Sequence, residues 1–565
     1  MNKEIIGIVL QITVLIALSY PLGYYIARVY KGKRSLLDFL TPFENMLYRI
    51  CRIDSGEDMN WKRFLKVLLT VNLFWFIWGM GLLLLQAVLP LNPDGNPGQS
   101  FPQAFNTCIS FLVNCNLQHY SGESGVTYFT QLFVIMLFQF ITAATGMAAF
   151  AAILKAMASK GSGLVGNFWV YLVKSVTRIL LPLSMIVAIL LILNGTPMTL
   201  EGKQHIVTME GQEQTISQGP VAAVVAIKQL GTNGGGFFGA NSAHPLENPN
   251  WLTNMIEVIS ILLIPMACIW TLGFYLRRRK FAACIFGVML LAYLATITIA
   301  VQQETLGNTE IEQLGISQQT GNMEGKESRI GAAYTAFWAM TTTASSNGSV
   351  NGMHDSLTPV TGMLAMLNMQ VNCWFGGVGV GFMNYYIFII IAVFLSGLMV
   401  GRTPEFLGKK IEAKEMKIAI LVALLHPFII LCGTAIAAYL ATEDPQLATA
   451  WLNNPSFHGL SEMLYEFTSS AANNGSGFEG LGDNTGFWNV STGIVLLAGR
   501  YLPIIGQIAI AGFLAQKKFI PQSVGTLKTD TATFSLMTFV VIFIIAALAF
   551  FPILTLAPIA EFLTM

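Results

Sequence analysis

Charge is scarce in this sequence, and the scarcity fixes its class. Only 11% of the 565 residues are Asp, Glu, Lys or Arg, against about 25% in ordinary globular chains, while 54% are hydrophobic. A net charge of +1 leaves no electrostatic footprint for nucleic acid. The seven cysteines are odd in number and scattered, and Cys268, Cys284 and Cys432 sit inside apolar runs. They read as reduced packing residues, which excludes a disulfide framework. None of the six histidines has metal-ligand spacing. No P-loop and no Asp-Lys-Thr-Gly sequence occurs, so any ATP chemistry belongs to a partner. No span pairs a nucleophile with a base, or two carboxylates, which removes an intramembrane enzyme.

What the chain has instead is long apolar blocks. A helix needs about 20 apolar residues to cross a bilayer. That measure gives ten candidates, near residues 5–27, 64–90, 127–154, 167–194, 252–276, 281–302, 378–400, 416–441, 489–514 and 532–557. The first outlasts a signal h-region and lacks a small-residue cleavage site, so it is expected to remain as a span. Lys and Arg accumulate on the cytoplasmic side. An outside amino terminus puts 25 of the 31 basic residues inside, which selects that orientation and places both termini out. The exceptions are Lys3, Lys203, Lys228, Lys326 and Arg329 outside, and Arg500 within the ninth span.

Four outer connections hold a second, shorter apolar stretch: Pro102 to Val113, Pro220 to Leu230, Gly331 to Ala344 and Gly459 to Ala472. Each suits a re-entrant half-helix and is too short to span. Each runs into a small polar cluster: Val113-Asn114-Cys115-Asn116, Thr232-Asn233-Gly234-Gly235, Ser346-Asn347-Gly348-Ser349 and Asn473-Asn474-Gly475-Ser476. One Asn-Gly pair is usually a turn, but four in register after half-helices describe a repeat. Irregular backbone at membrane depth is tolerated only where it lines a cavity. Half-helices entering from outside aim their carbonyl ends, with partial negative charge, at the interior, which favours a cation. Gly234, Gly348 and Gly475 each follow an Asn, where glycine permits positive φ and lets carbonyls face an axis. The oxygens are neutral and no carboxylate rings the clusters. A divalent-ion site recruits Asp or Glu, so potassium is favoured.

The fold expected is all-α and polytopic, with ten spans in fourfold pseudosymmetric repeats of span, half-helix, loop and span. The units are 1–63, a first span and connection; 64–154, 155–276, 277–400 and 401–514, four pore repeats; and 515–565, a last span. The run Gly234 to Gly239 formally matches a dinucleotide fingerprint but lacks its strand and helix context.

Several motifs carry a family resemblance. The run Thr232-Asn233-Gly234-Gly235-Gly236-Phe237-Phe238-Gly239-Ala240-Asn241-Ser242-Ala243-His244-Pro245 is one, and Asn473-Asn474-Gly475-Ser476-Gly477-Phe478 echoes it. Phe375-Gly376-Gly377-Val378-Gly379-Val380-Gly381 and Gly401-Arg402-Thr403-Pro404-Glu405 are the others. Together they resemble the potassium-binding, channel-like subunits of bacterial Kdp potassium-transporting P-type ATPases, over essentially the whole chain. The resemblance implies the potassium-transporter superfamily fold, with the four loops as a selectivity filter for potassium. It implies a bacterial inner-membrane complex with a P-type ATPase catalytic subunit and two small membrane subunits, and no organic cofactor. Carried onto this chain, the filter residues are Asn114, Cys115, Asn116, Gln118, Thr232, Asn233, Gly234, Ser346, Asn347, Gly348, Asn473, Asn474 and Gly475. The family's first loop commonly reads Asn-Thr-Asn-Trp-Gln, whereas this one reads Asn114-Cys115-Asn116-Leu117-Gln118. Cysteine loses the hydroxyl but keeps the backbone carbonyl.

Arg500 is costly within a span and marks a pathway. It reads as a gate below the filter, a role the resemblance supports; the alternative is a guanidinium satisfied by carbonyls at a helix break. Gly376, Gly377, Gly379 and Gly381 form either a close-packing run or, as the resemblance favours, an intramembrane break shaping the passage. Lys174 and Arg178 read as snorkelling anchors near a span end. Accumulating an ion costs about 1.4 kcal/mol per tenfold gradient, which a channel cannot supply. The expectation is a non-catalytic, ion-selecting subunit; the runner-up is a self-sufficient potassium channel or symporter.

Overall fold

The computed structural model describes residues 3–399, 401, 403–520 and 528–564. Arg402 of the Gly401 to Glu405 motif lies outside the described residues. Among the described residues ten helices are long and apolar enough to cross a membrane: Lys3–Tyr30, Trp61–Val88, Tyr128–Ala158, Phe168–Leu193, Trp251–Leu276, Arg279–Gln313, Val380–Met399, Ala413–Glu443, Gly486–Gln516 and Ala532–Thr564. All ten expected spans are present, most ends within four residues of expectation, while the sixth and tenth run on to Gln313 and Thr564. Polar residues start them where the chain enters the apolar layer. Asn60 accepts from Arg63 N at 2.9 Å, and Asn250 closes a capping box with Thr253.

Burial sorts the spans. The third and fifth are buried over 72% of their apolar windows and the eighth and tenth over 22%, so the first pair forms the centre and the second pair lies at the periphery. Lipid tails give helices no hydrophobic reason to associate, and close packing of small residues takes over. Ala143, Ala144, Gly146, Ala148 and Ala149 of the third span are buried. The first span lies along the fifth, where a Cβ on Gly23 would come within 2.7 Å of the Ala267 carbonyl oxygen.

Four half-helices fill the expected connections: Phe101–Leu112, Val221–Leu230, Ala332–Ala344 and Ser456–Ala472. The third repeat departs from the simple unit. Its return to the far side is broken into Pro359–Val371 and Val380–Met399, joined by a buried segment with positive φ at Asn372, Phe375, Gly376 and Gly379. The shorter piece was not expected. At 13 residues it is below the length a span needs.

On the side opposite the half-helices, Arg178 is not an anchor at the interface. It is buried, with Nε and Nη2 donating to the two Glu44 oxygens at 2.6 Å and Nη1 to Asp38 Oδ1 at 2.7 Å. The fork geometry of guanidinium on carboxylate explains the burial. Glu44 comes from a helix over Thr41–Ile50, too short and polar to register as an apolar block. Strand is limited among the described residues to three two-stranded pairs: Met59–Asn60 with Leu164–Gly166, Gln204–Val207 with Glu213–Ile216, and Glu405–Phe406 with Lys409–Lys410.

Candidate functional site

All four half-helices end with the same backbone hydrogen bond. Cys115 N donates to Ser110 O at 3.1 Å, Asn233 N to Lys228 O at 3.0 Å, Asn347 N to Thr342 O at 3.1 Å and Asn474 N to Ser469 O at 2.9 Å. Each reaches back five residues across a residue of positive φ: Asn114 at 64°, Thr232 at 50°, Ser346 at 52° and Asn473 at 52°. This is the Schellman ending of a helix. A second positive φ follows two residues later at Asn116, Gly234, Gly348 and Gly475. Alternating φ sign turns successive carbonyl oxygens toward the same side of a loop, the arrangement that strips water from a cation.

The loops meet in a ring. A Cβ on Gly234 would overlap the Asn347 carbonyl oxygen, one on Gly348 that of Asn474, and one on Gly475 that of Cys115. A Cβ on Gly235 would lie 2.7 Å from Cβ of Asn116, closing the circle. Glycine is required here because the next loop's carbonyl occupies the space a side chain would take.

Side-chain amides lock the second, third and fourth loops each to its predecessor. Asn347 Nδ2 donates to Lys228 O at 3.3 Å and Asn474 Nδ2 to Thr342 O at 2.9 Å. Asn233 Nδ2 reaches Asn114 Oδ1 at 2.7 Å, while Asn114 Nδ2 donates to Thr232 O at 2.8 Å. Cys115 occupies the matching place in the first loop but packs against Ile109, Val113, Leu117 and Leu496. Gln118 is spent on the second loop: Oε1 accepts from Gly236 N at 2.9 Å and Nε2 donates to Gly236 O at 3.2 Å. Asn116 is buried with both amide atoms unbonded. Ser346 Oγ donates to Asn372 Oδ1 at 2.7 Å and Asn473 Nδ2 to Leu496 O at 3.1 Å.

Two charged clusters behind the ring were missed from the sequence. Lys228, expected among the outer basic residues, is fully buried. Its ammonium donates to Asn241 Oδ1 and Ser242 Oγ, both at 2.7 Å, and to Glu247 Oε2 at 2.5 Å. Asn241 Nδ2 in turn holds the Gly234 carbonyl at 2.7 Å. Glu257 of the fifth span accepts from Ser242 Oγ at 2.6 Å and Gln229 Nε2 at 2.7 Å. Asn241 and Ser242 fall inside the run that carried the family resemblance; Glu247 and Glu257 left no signal. Elsewhere His119 joins the first and fourth repeats, with Nδ1 2.9 Å from Asn489 Oδ1 and Nε2 3.2 Å from Glu466 Oε1. Burial alone would lower its pKa, but Asp483 and Glu466 outweigh burial and hold it at about 9.

Beneath the ring lies a cavity of about 70 Å³, room for a few waters or an ion. Ser346 and Asn473 reach it from the ring, and Gln370, Asn384, His426 and Arg500 from the helices below. The helix over Gly486–Gln516 runs through Arg500 without a break. Among the described residues no hydrogen bond or ion pair meets the guanidinium, so it is not satisfied by carbonyls at a helix break. The Asn372 to Gly379 segment crosses under the second and third loops. Val378 N donates to Thr232 Oγ1 and Gly376 N to Ala344 O, both at 2.9 Å. A Cβ on Gly377 would lie 3.6 Å from Thr232 Oγ1, and one on Gly379 2.5 Å from Gly146 O. Gly381 packs against the Phe375 carbonyl at the start of the seventh span.

Ten spans, four re-entrant half-helices and a central ring of loops define a membrane protein with the fold of potassium transporters. The crystal structure of the potassium transporter TrkH from Vibrio parahaemolyticus superposes with a TM-score of 0.52 over 89% of this chain and 98% of that one, at 15% identity. The chain belongs to the potassium-transporting ATPase A subunit family, which matches residues 9–563. It is 67% identical to the potassium-transporting ATPase potassium-binding subunit of Bacteroides thetaiotaomicron and 66% identical to that of Phocaeicola vulgatus, over the full length of each chain. It is 48% identical to that of Geobacillus kaustophilus over 97% of both chains.

Proposed function

We propose that this chain selects potassium and translocates it for an ATP-driven uptake complex, and that the ring is its selectivity filter. The observation that carries this reading is the fourfold closure. Carbonyls of Cys115, Asn347 and Asn474 press against the preceding loop's glycine, and Asn233 stands at the matching place. Oxygens so arranged replace a hydration shell without net charge, which lets a monovalent ion leave again. The names of the relatives, each a potassium-binding subunit of an ATPase, support a partner that hydrolyses ATP. That partner is a P-type ATPase catalytic subunit, joined by two small membrane subunits.

In this reading, potassium enters from the extracytoplasmic side of the bacterial cytoplasmic membrane, with both termini on that side. It sheds water among Asn114, Cys115, Asn116, Thr232, Asn233, Gly234, Ser346, Asn347, Gly348, Asn473, Asn474 and Gly475. Gln118 acts by holding the second loop. The ion then meets Arg500, whose unpaired charge repels it from the direct route. The segment bearing Gly376, Gly377, Gly379 and Gly381 closes the floor. The cavity is also lined by Phe388, Val422, Ile542 and Phe550, of the seventh, eighth and tenth spans. The eighth and tenth are the least buried of the ten, which supports a lateral exit toward the partner. The four pore repeats of this reading are 64–154, 155–276, 277–400 and 401–514.

Purification in mild detergent tests this. Copurification of a P-type ATPase whose hydrolysis is stimulated by potassium over sodium is the expected result. Selective, ATP-independent potassium flux through the isolated chain in liposomes would instead identify a self-sufficient channel.

A further inference from the structure

A second constellation lies at the end of the fourth half-helix remote from the ring. His458 and Glu462 are four residues apart and share one face of that helix. Asp355 follows the third loop. Ligating atoms of all three lie within 4.8 Å of one another. His458 Nε2 is 3.0 Å from Asp355 Oδ1, and its Nδ1 is 2.7 Å from Glu561 Oε1 in the helix Ala560–Thr564. Asn454 Nδ2 donates to Asp355 Oδ2 at 3.2 Å and Glu462 Oε1 at 3.1 Å, and Asn454 N also donates to Glu462 Oε1 at 3.1 Å.

The other Glu462 oxygen decides the matter. Glu462 is fully buried and its Oε2 accepts no hydrogen bond. A buried carboxylate oxygen without a donor is expensive. Three carboxylates, Asp355, Glu462 and Glu561, face a single imidazole, so the cluster stays negative even with His458 charged. Gly480 keeps the space open: a Cβ there would lie 2.6 Å from Glu462 Oε1 and 2.7 Å from Asp355 Oδ2.

The geometry points to a binding site for a divalent cation of the Zn²⁺ or Mn²⁺ kind, with Asp355, His458 and Glu462 as ligands. One imidazole nitrogen with carboxylate oxygens suits these ions better than the all-oxygen sets of Ca²⁺ or Mg²⁺. His458 ligates through Nε2, while Nδ1–H donates to Glu561 and fixes the ring, the usual support for a metal-bound histidine. The His458 ring stacks on Phe478 at 5.7 Å, and Phe478 on Tyr465 at 4.2 Å. The Tyr465 hydroxyl is 2.8 Å from both Ser476 Oγ of the fourth loop and His354 Nδ1. The ion therefore fastens the third and fourth repeats and the last helix where they support the ring.

The test is a metal count on the untagged protein with its native partners, stripped with chelator, loaded with ZnCl₂ or MnCl₂, desalted and measured by mass spectrometry. Unmodified protein is expected to retain about one equivalent more than Glu462→Gln or His458→Gln, each of which removes a ligand. Equal retention by unmodified protein and Glu462→Gln overturns the site. Should both variants fail to fold, X-ray absorption of the bound ion in unmodified protein decides. One imidazole nitrogen among oxygens supports the assignment, and a sulfur-containing or oxygen-only shell overturns it.

Discussion

Gly234 and Asn347 touch through backbone alone: the space a Gly234 Cβ would fill is held by the Asn347 carbonyl oxygen. The φ of 94° at Gly234 adds a second reason for glycine. Gly234→Ala must push the third loop's carbonyl outward, and Gly234→Asp adds a charge as well. Both are expected to lower discrimination of potassium over sodium and rubidium by tenfold or more, roughly 1.4 kcal/mol, while the protein still inserts. Ion-dependent ATPase activity of the complex reads this directly. Unchanged selectivity in correctly inserted protein removes the second loop from the filter.

Cys115 separates carbonyl from side-chain coordination. It stands where the other loops carry Asn, and it packs against apolar neighbours. If its backbone oxygen is the ligand, Cys115→Ser and Cys115→Ala retain potassium affinity to within about threefold, a difference below 1 kcal/mol. A large loss in Cys115→Ala shows that the sulfur or its replacement takes part.

Arg500 has no counter-ion among the described residues, so its charge acts on the cavity. Arg500→Gln keeps bulk and polarity and removes the charge. Passive potassium leak through liposomes should rise severalfold, and ATP consumed per ion should increase. Preserved coupling returns the residue to a packing role.

Lys228 is a stability residue by its geometry. Removing it leaves Glu247 and the nearby Glu257 buried without their cation, which costs about 3–5 kcal/mol for a broken buried pair. Lys228→Met should sharply reduce folded protein on size exclusion, and adding Glu247→Gln should restore part of it.

His119 gives a pH dependence with a definite sign. Its pKa of about 9 in the folded protein exceeds the ordinary 6.5, because Asp483 and Glu466 overcome burial. The proton-linked stability is complete below about pH 6.5 and is lost as pH rises through about 9. The melting temperature should fall between pH 7 and pH 9.5, and less steeply in His119→Asn.

The sequence made the spans legible because bilayer thickness imposes a length that apolar blocks reveal. The half-helices were legible for the complementary reason, being apolar and too short. The burial of Lys228 was not legible because a charge count assigns sides and cannot register a carboxylate that folds over a lysine. Arg178 was misread likewise, since its partner Glu44 is 134 residues away. The fourfold positive φ showed in the sequence only where glycine advertises it; Thr232 and Ser346 adopt the same conformation without a residue type that announces it. The helix Pro359–Val371 escaped because Thr361, Asn368 and Gln370 interrupt its apolar run and its 13 residues are too few for a span.

If four loops present neutral oxygens to one dehydrated potassium ion, rubidium binds in potassium's place on the ring axis. Anomalous diffraction from crystals grown in rubidium chloride is the measurement: a rubidium peak is expected on that axis, coordinated by carbonyls of the Cys115, Asn233, Asn347 and Asn474 loops. A ring axis without rubidium, with the ion bound elsewhere in the membrane region, would overturn the filter.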